Sequence, residues 1–243
     1  MSTYLRTTRS HTYSLLFALP LLVLYELGAV LIADRGGTGM RNGADVLLRT
    51  MLAAGGVQGT LAFTAALALG AAVLVALERP KTRVPLRRSY FGGMLAESAV
   101  YALLFGGLIA TATHFLLGGF VRLAADGALT TMPLLDGIVL SLGAGIYEEL
   151  LFRVLLTGGL LALLVWMGFR RTPAAAVAVI VSAFLFSAFH YVGPYAYPLE
   201  LGSFTFRLLA GVAFSALYVW RGFGIAAWTH ALYDVFLVIA GQG

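Results

Sequence analysis

The sequence predicts an all-α polytopic membrane protein, a bundle of about seven to eight transmembrane helices carried as one domain over residues 1–243. Three observations lead there. Hydrophobic residues make up 60% of the chain and charged residues 11%, against about 25% charged in a soluble domain. Apolar runs long enough to cross a ~30 Å hydrocarbon core recur along the chain. Between them the basic residues gather in short clusters, the pattern that sets membrane topology. All but Lys81 of the 16 basic residues are arginine and the net charge is +5. In a soluble protein that balance would suit nucleic acid; here it reads as topology, and no nucleic-acid partner is expected. The chain has no cysteine, which excludes disulfides, thiolate nucleophiles and Cys-ligated metal.

The first apolar run, 13–33, is too long for a secretory signal core and lacks a small-residue cleavage pattern, so it reads as an uncleaved span containing Glu26. A polar, Gly-rich loop follows over 34–43. Residues 44–52, with Asp45 and Arg49 spaced i, i+4, read as a short interfacial helix. A second span covers 57–77. After it come Arg79, Lys81, Arg83, Arg87 and Arg88, the densest basic loop, which the positive-inside rule places in the cytoplasm. The third span, 91–117, carries Glu97 and His114.

Beyond a loop over 118–133, the fourth run stays apolar until Arg170-Arg171 and exceeds one crossing. It must tilt, kink or continue along the interface, and Gly158-Gly159 is the expected break. The fifth span, 174–191, ends at Gly193-Pro194. The sixth, 203–220, contains Arg207, and a glycine turn at 222–224 leads into the last, 225–240. Seven crossings put Arg6, Arg9, the 79–88 loop, Arg170-Arg171 and Arg221 all on the cytoplasmic side, with the C-terminus outside.

The fourth run holds Tyr147-Glu148-Glu149-Leu150-Leu151-Phe152-Arg153. Each charge at membrane depth costs at least ~2.5–3.5 kcal/mol, so such residues point to function. On an α-helix Glu149 and Arg153 share a face while Glu148 points away. Arg153 then neutralises Glu149 and leaves Glu148 available for proton chemistry. Two more polar sets lie in apolar spans: Phe186-x-x-x-His190, and His230-x-x-x-Asp234 one turn apart. A carboxylate and imidazoles around one cavity supply what hydrolysis by an activated water needs: a base, a water-positioning partner and oxyanion donors.

E-E-x-x-x-R, F-x-x-x-H and H-x-x-x-D, in that order on separate apolar helices, resemble the CPBP family: type II CAAX prenyl endopeptidases and the bacteriocin-processing, Abi-type intramembrane proteases. The resemblance covers about 134–240, where that family has a four-helix catalytic core, and leaves 13–117 as N-terminal helices. It implies an intramembrane endopeptidase that cleaves a membrane-associated protein or peptide in C-terminal or sorting-signal processing. It also implies a multi-pass protein of the cell (inner) membrane, with the lipid bilayer as its other partner. Glu148 would be the general base and His190 would bind and activate the water. His230 and the residue at 234 would stabilise the oxyanion, with Glu149, Arg153 and Phe186 in support. The prenyl-protein proteases often have Asn at the last position, where this chain has Asp234. An ionised Asp cannot donate, so Asp234 orients and charges His230, stays protonated, or ligates a metal.

Zinc held by His190, His230, Glu148 and Asp234 is the alternative chemistry. No H-E-x-x-H pair is present, so the metal-free mechanism is favoured and no cofactor is expected. Two other functions compete: a proton- or ion-coupled transporter, against which stands the lack of an internal repeat, and a catalytically silent immunity or scaffold protein. The bland alternatives are a Glu148/Glu149/Arg153 ion cluster that only fixes packing and a His230/Asp234 packing pair. Glu26 and Glu97 read as structural or cavity-lining, Arg207 as an internal ion-pair partner or a snorkelling side chain. Tyr191, Tyr195 and Tyr197 read as an interfacial belt.

Overall fold

The computed structural model describes residues 3–34, 41–82, 86–118, 132–193, 196 and 198–241. Arg83, Tyr195, Tyr197, most of the 118–133 loop and Gln242 lie outside the described residues. The elements are all helices: α1 Thr3–Thr8, α2 His11–Asp34, α3 Gly43–Ala54, α4 Thr60–Thr82, α5 Arg88–Leu117, α6 Leu134–Trp166, α7 Arg171–Phe189, α8 Leu201–Arg221 and α9 Phe223–Ala240. Six of them (α2, α5, α6, α7, α8 and α9) are long and apolar enough to cross a membrane. The apolar part of α4 is shorter, Ala62–Glu78, about 25 Å at ~1.5 Å per residue. Among the described residues the expected seven to eight spans are therefore six of full length and this shorter one. The protein is a multi-pass membrane protein.

Glu78 closes the apolar part of α4 and reaches the start of α2. Its carboxylate accepts from the His11 N–H (2.9 Å), the Thr12 N–H (2.6 Å) and the Thr12 hydroxyl (2.8 Å). Those are the donors that a helix start leaves without partners, so α4 caps α2.

α9 is the central helix, packed against α2, α5, α6 and α8. In lipid no hydrophobic force draws helices together, so small residues and close approach must do it. Ala226, Ala227 and Ala231 are fully buried. A Cβ on Gly145 of α6 would lie 2.5 Å from the Ala227 carbonyl and 2.6 Å from the Ala231 Cβ. The α8–α9 turn needs a left-handed residue and has one, Gly222 at φ 88°.

Beside that turn Arg221 is fully buried. It pairs with Glu97 through Nε (2.6 Å) and Nη2 (2.8 Å) and donates to the Thr8 hydroxyl and the Leu5 carbonyl. The Tyr4 and Tyr101 hydroxyls also donate to Glu97, each at 3.0 Å. Burial, then the neighbouring Glu97 carboxylate, pushes the Tyr4 phenol above its ordinary value, so it stays a donor. This satisfied cluster fastens α1, α5 and α8, and Glu97 is accordingly structural. Arg207, buried, donates to the Tyr191 and Ser203 hydroxyls; it faces inward and does not snorkel.

α6 departs from expectation in two ways. It runs unbroken through Gly158 (φ −65°, ψ −44°) and Gly159 (φ −64°, ψ −46°), so the break expected there does not occur. Instead the helix changes pitch: 144–148 and 150–158 are π-helical, and α geometry resumes at Gly159. The Phe152 carbonyl in this widened stretch accepts from the Thr157 hydroxyl (2.8 Å) and from the Ser182 hydroxyl of α7 (2.6 Å). π turns inside longer helices concentrate at functional sites. Residues 143–149 are all buried, which places the motif in the middle of the bundle. Against it packs α3, with Ala44, Asp45 and Leu48 buried. The segment expected to lie along the interface is folded onto α6.

Candidate active site

The π-helical run turns two consecutive carboxylates inward, Glu148 at 7% exposure and Glu149 at 0%. They have different neighbours. Glu149 lies between Arg153 and His230: Arg153 Nε is 3.1 Å from Oε2, and His230 Nδ1 is 2.8 Å from Oε1. The contact with Arg153 is an ion pair not aligned as a hydrogen bond. The guanidinium also lies 4.4 Å from the Phe186 ring centre and 5.5 Å from that of Phe214, so two aromatic faces solvate the cation where water does not reach.

Among the described residues no arginine forms an ion pair with Glu148 within 4.0 Å. Its Oε1 accepts from the Asn42 side-chain amide at 2.8 Å. Its Oε2 has no hydrogen-bond partner among the described residues and lies 4.0 Å from His190 Nε2. His190 follows α7 directly, and its Nδ1 is 2.8 Å from the Phe186 carbonyl. A carbonyl only accepts, so Nδ1 carries the proton. In the neutral ring Nε2 is then the lone-pair nitrogen, turned toward Glu148. Phe186 thus orients His190 through its carbonyl and packs edge-on against the ring at 4.9 Å.

His230 sits on α9 with its ring stacked on Phe214, centroids 4.7 Å apart and planes 22° apart. Its Nε2 is 3.6 Å from Asp234 Oδ2, so the imidazole is flanked by two carboxylates, Glu149 and Asp234. The structure therefore brings together all seven residues singled out in the sequence: Glu148, Glu149, Arg153, Phe186, His190, His230 and Asp234. Their donors and acceptors do not form a ligand set. Among the described residues no three His, Asp or Glu side chains are gathered to hold a metal ion; His230 Nδ1 is bonded to Glu149, and its Nε2 stands 3.6 Å from Asp234, beyond hydrogen-bond length.

The sequence reading missed Asn42 and the polar lattice behind it. The Asn42 Oδ1 accepts from the Ala44 N–H (2.8 Å) and caps α3, while its own N–H donates to the Tyr25 hydroxyl (3.1 Å). Asp45, fully buried, accepts from Tyr25 (2.8 Å), Arg41 (2.8 Å) and Arg49 (2.5 Å). Glu26 accepts from Arg41 (3.3 Å), Arg49 (2.6 Å) and the Tyr147 hydroxyl (2.7 Å). Burial alone would lower the Arg41 guanidinium, but its hydrogen bond to Asp45 and the charges of Asp45 and Glu26 raise it above its ordinary value. An Asn ahead of a helix was visible as a cap signal; nothing in the local sequence says that the same amide reaches Glu148.

Fold and site together define a multi-pass membrane protein with a buried carboxylate–histidine centre between its last four helices and α3. Residues 130–236, from the approach to α6 through most of α9, match one family model, described as Type II CAAX prenyl endopeptidase Rce1-like. That segment is similar to this family, in agreement with the order of its three motifs. No curated protein and no solved structure matches the chain. The family is one of proteases, so the function is of the CAAX-type membrane protease kind, with a membrane-associated peptide as the general class of substrate.

Proposed function

We propose that the protein is an intramembrane endopeptidase that hydrolyses a peptide bond of a membrane-associated protein, near its C-terminus, with a water activated by Glu148 and His190. The observation that carries this reading is the pair of facing atoms, Glu148 Oε2 and His190 Nε2, 4.0 Å apart. That gap is too long for a direct hydrogen bond and is the span one bridging water closes. Glu148 takes the water's proton as its oxygen attacks the scissile carbonyl, then passes that proton to the leaving amine. The doubly protonated form of His230 donates Nδ1–H to Glu149 and carries an Nε2–H for the carbonyl oxygen as it becomes an oxyanion. Asp234, 3.6 Å from Nε2, holds and charges that ring; in its ionised form it is not itself a donor. The setting proposed is the cell (inner) membrane.

The test uses purified protein in detergent micelles and an internally quenched peptide ending in a farnesyl-cysteine CAAX sequence, the substrate type in the family's description. Glu148→Gln should abolish cleavage while changing the melting temperature little, since Gln keeps an oxygen for the Asn42 amide. Full activity in that variant would remove the general-base role. Turnover by wild type, lost in Glu148→Gln, also separates this reading from a transporter and from a silent scaffold.

A further inference from the structure

We infer that Asn42 is a positioning residue of the active site: its side-chain amide holds one oxygen of Glu148 and so presents the other to His190 and the water. The inference rests on the general-base reading of Glu148. Asn42 lies outside the 130–236 segment that matches the protease family, so the site is completed from a part of the chain that the family model does not cover.

The geometry separates the two oxygens of one carboxylate. Oε1 accepts from Asn42 Nδ2 at 2.8 Å, and Oε2 faces His190 Nε2 at 4.0 Å. Which end of the amide meets Glu148 is fixed by chemistry. The other end accepts from the Ala44 N–H, a role only the amide oxygen can fill, and a carboxylate oxygen can be met only by the NH₂. Asn42 is held against α6 as well. A Cβ on Gly143 of α6 would lie 3.0 Å from the Asn42 Cβ, and one on Gly43 would lie 3.3 Å from the Phe189 ring, so the start of α3 also passes beside the end of α7 that precedes His190. Behind it, the Asp45 and Glu26 ion pairs with Arg41 and Arg49 tie α3 to α2. A base held this way needs no search over rotamers when the substrate arrives, which is what pre-positioning contributes to turnover.

Capping and positioning can be separated experimentally. Asn and Ser cap a helix about equally well and Thr nearly as well, so Asn42→Ser and Asn42→Thr both keep the cap on α3, and neither offers an amide donor to Glu148. Cleavage of the quenched farnesyl-cysteine peptide is measured for both variants beside wild type and Glu148→Gln, with melting temperature and hydrogen exchange across 43–54. The expected result is a kcat lower by roughly 10–100-fold, the size of a lost hydrogen bond to a charged group. KM and α3 protection should stay near wild type, with the melting temperature lowered only by the one lost hydrogen bond. Wild-type kcat in both variants with Glu148→Gln inactive would overturn the role of Asn42 and leave the base intact. A loss of kcat matched by loss of α3 protection would reduce Asn42 to a cap. Activity in Glu148→Gln would overturn the base itself and this inference with it.

Discussion

Replacing Glu149 by Gln should damage the protein more than any conservative change at Glu148, and the structure gives the size. Arg153 is fully buried, as is Glu149, and the two form an ion pair at 3.1 Å. Gln keeps an oxygen for the His230 Nδ1–H but removes the charge that balances the guanidinium. Breaking a buried pair from one side costs about 3–5 kcal/mol, because the surviving charge is left uncompensated. At roughly 2–4 °C per kcal/mol for a chain of this size, the melting temperature should fall by about 6–20 °C. The same reasoning predicts a rescue. Adding Arg153→Met removes the orphaned cation and leaves an apolar side chain among Phe186 and Phe214, an exchange that is often close to neutral. The assay is thermal melting of wild type, Glu149→Gln and the double variant in one detergent, followed by tryptophan fluorescence. A single variant melting within about 2 °C of wild type would refute the ion-pair argument. So would a double variant as unstable as the single one, since the damage would then lie elsewhere.

Gly145→Ala should destabilise by about 1–3 kcal/mol, because the added Cβ meets the Ala227 backbone. Gly159→Ala, where a Cβ meets nothing within 4 Å, should be neutral or stabilising by roughly 0.5–1 kcal/mol; equal melting of the two would refute the close α6–α9 contact. Cleavage should survive a strong chelator, and metal analysis of active protein decides it: stoichiometric zinc, with activity lost on chelation and restored by zinc alone, would overturn the metal-free mechanism. Single cysteines at Arg83 and Gln242 should be labelled by an impermeant maleimide from opposite faces of the membrane, and labelling of both from one face would refute the seven-crossing topology.

The spans were legible because lipid leaves a chain few options: every backbone group must be satisfied within a helix, so a long apolar run is a helix. The pairing of Glu149 with Arg153 was legible for the same local reason, since partners one turn apart meet whatever the rest of the fold does. What failed depended on tertiary context. Gly158 and Gly159 read as a break because glycine is a weak helix former in water, yet α6 passes through both in helical geometry. The π pitch of 144–148 and 150–158 left no periodic mark in the sequence. Residues 44–52 form the short helix that was read there, but their i, i+4 charges did not show that Asp45 is buried among Tyr25 and two arginines. Asn42 and Glu148 are 106 positions apart, and no local pattern could have joined them.

Asp234 aside, five acids inside the bundle, Glu26 and Glu97 half-buried and the other three buried, differ in what holds them, and that difference supports the division of roles. Glu97 is held by Arg221 and two tyrosines, and Glu26 by two arginines and Tyr147. Asp45 has the same two arginines and Tyr25, while Glu149 has Arg153 and His230. Each of these four would have to weaken an ion pair in order to accept a proton, and for Glu97 and Glu149 the cation left behind, Arg221 or Arg153, is fully buried. Glu148 is held differently. Its one hydrogen-bond donor among the described residues is a neutral amide, and its other oxygen faces an imidazole across 4.0 Å. It can take a proton on Oε2 and keep the Asn42 bond on Oε1, so nothing around it has to break when it does. A general base must gain and lose a proton in every turnover. Of the five, Glu148 is the carboxylate whose surroundings permit that cycle without dismantling the structure, and the four saturated acids keep those surroundings in place.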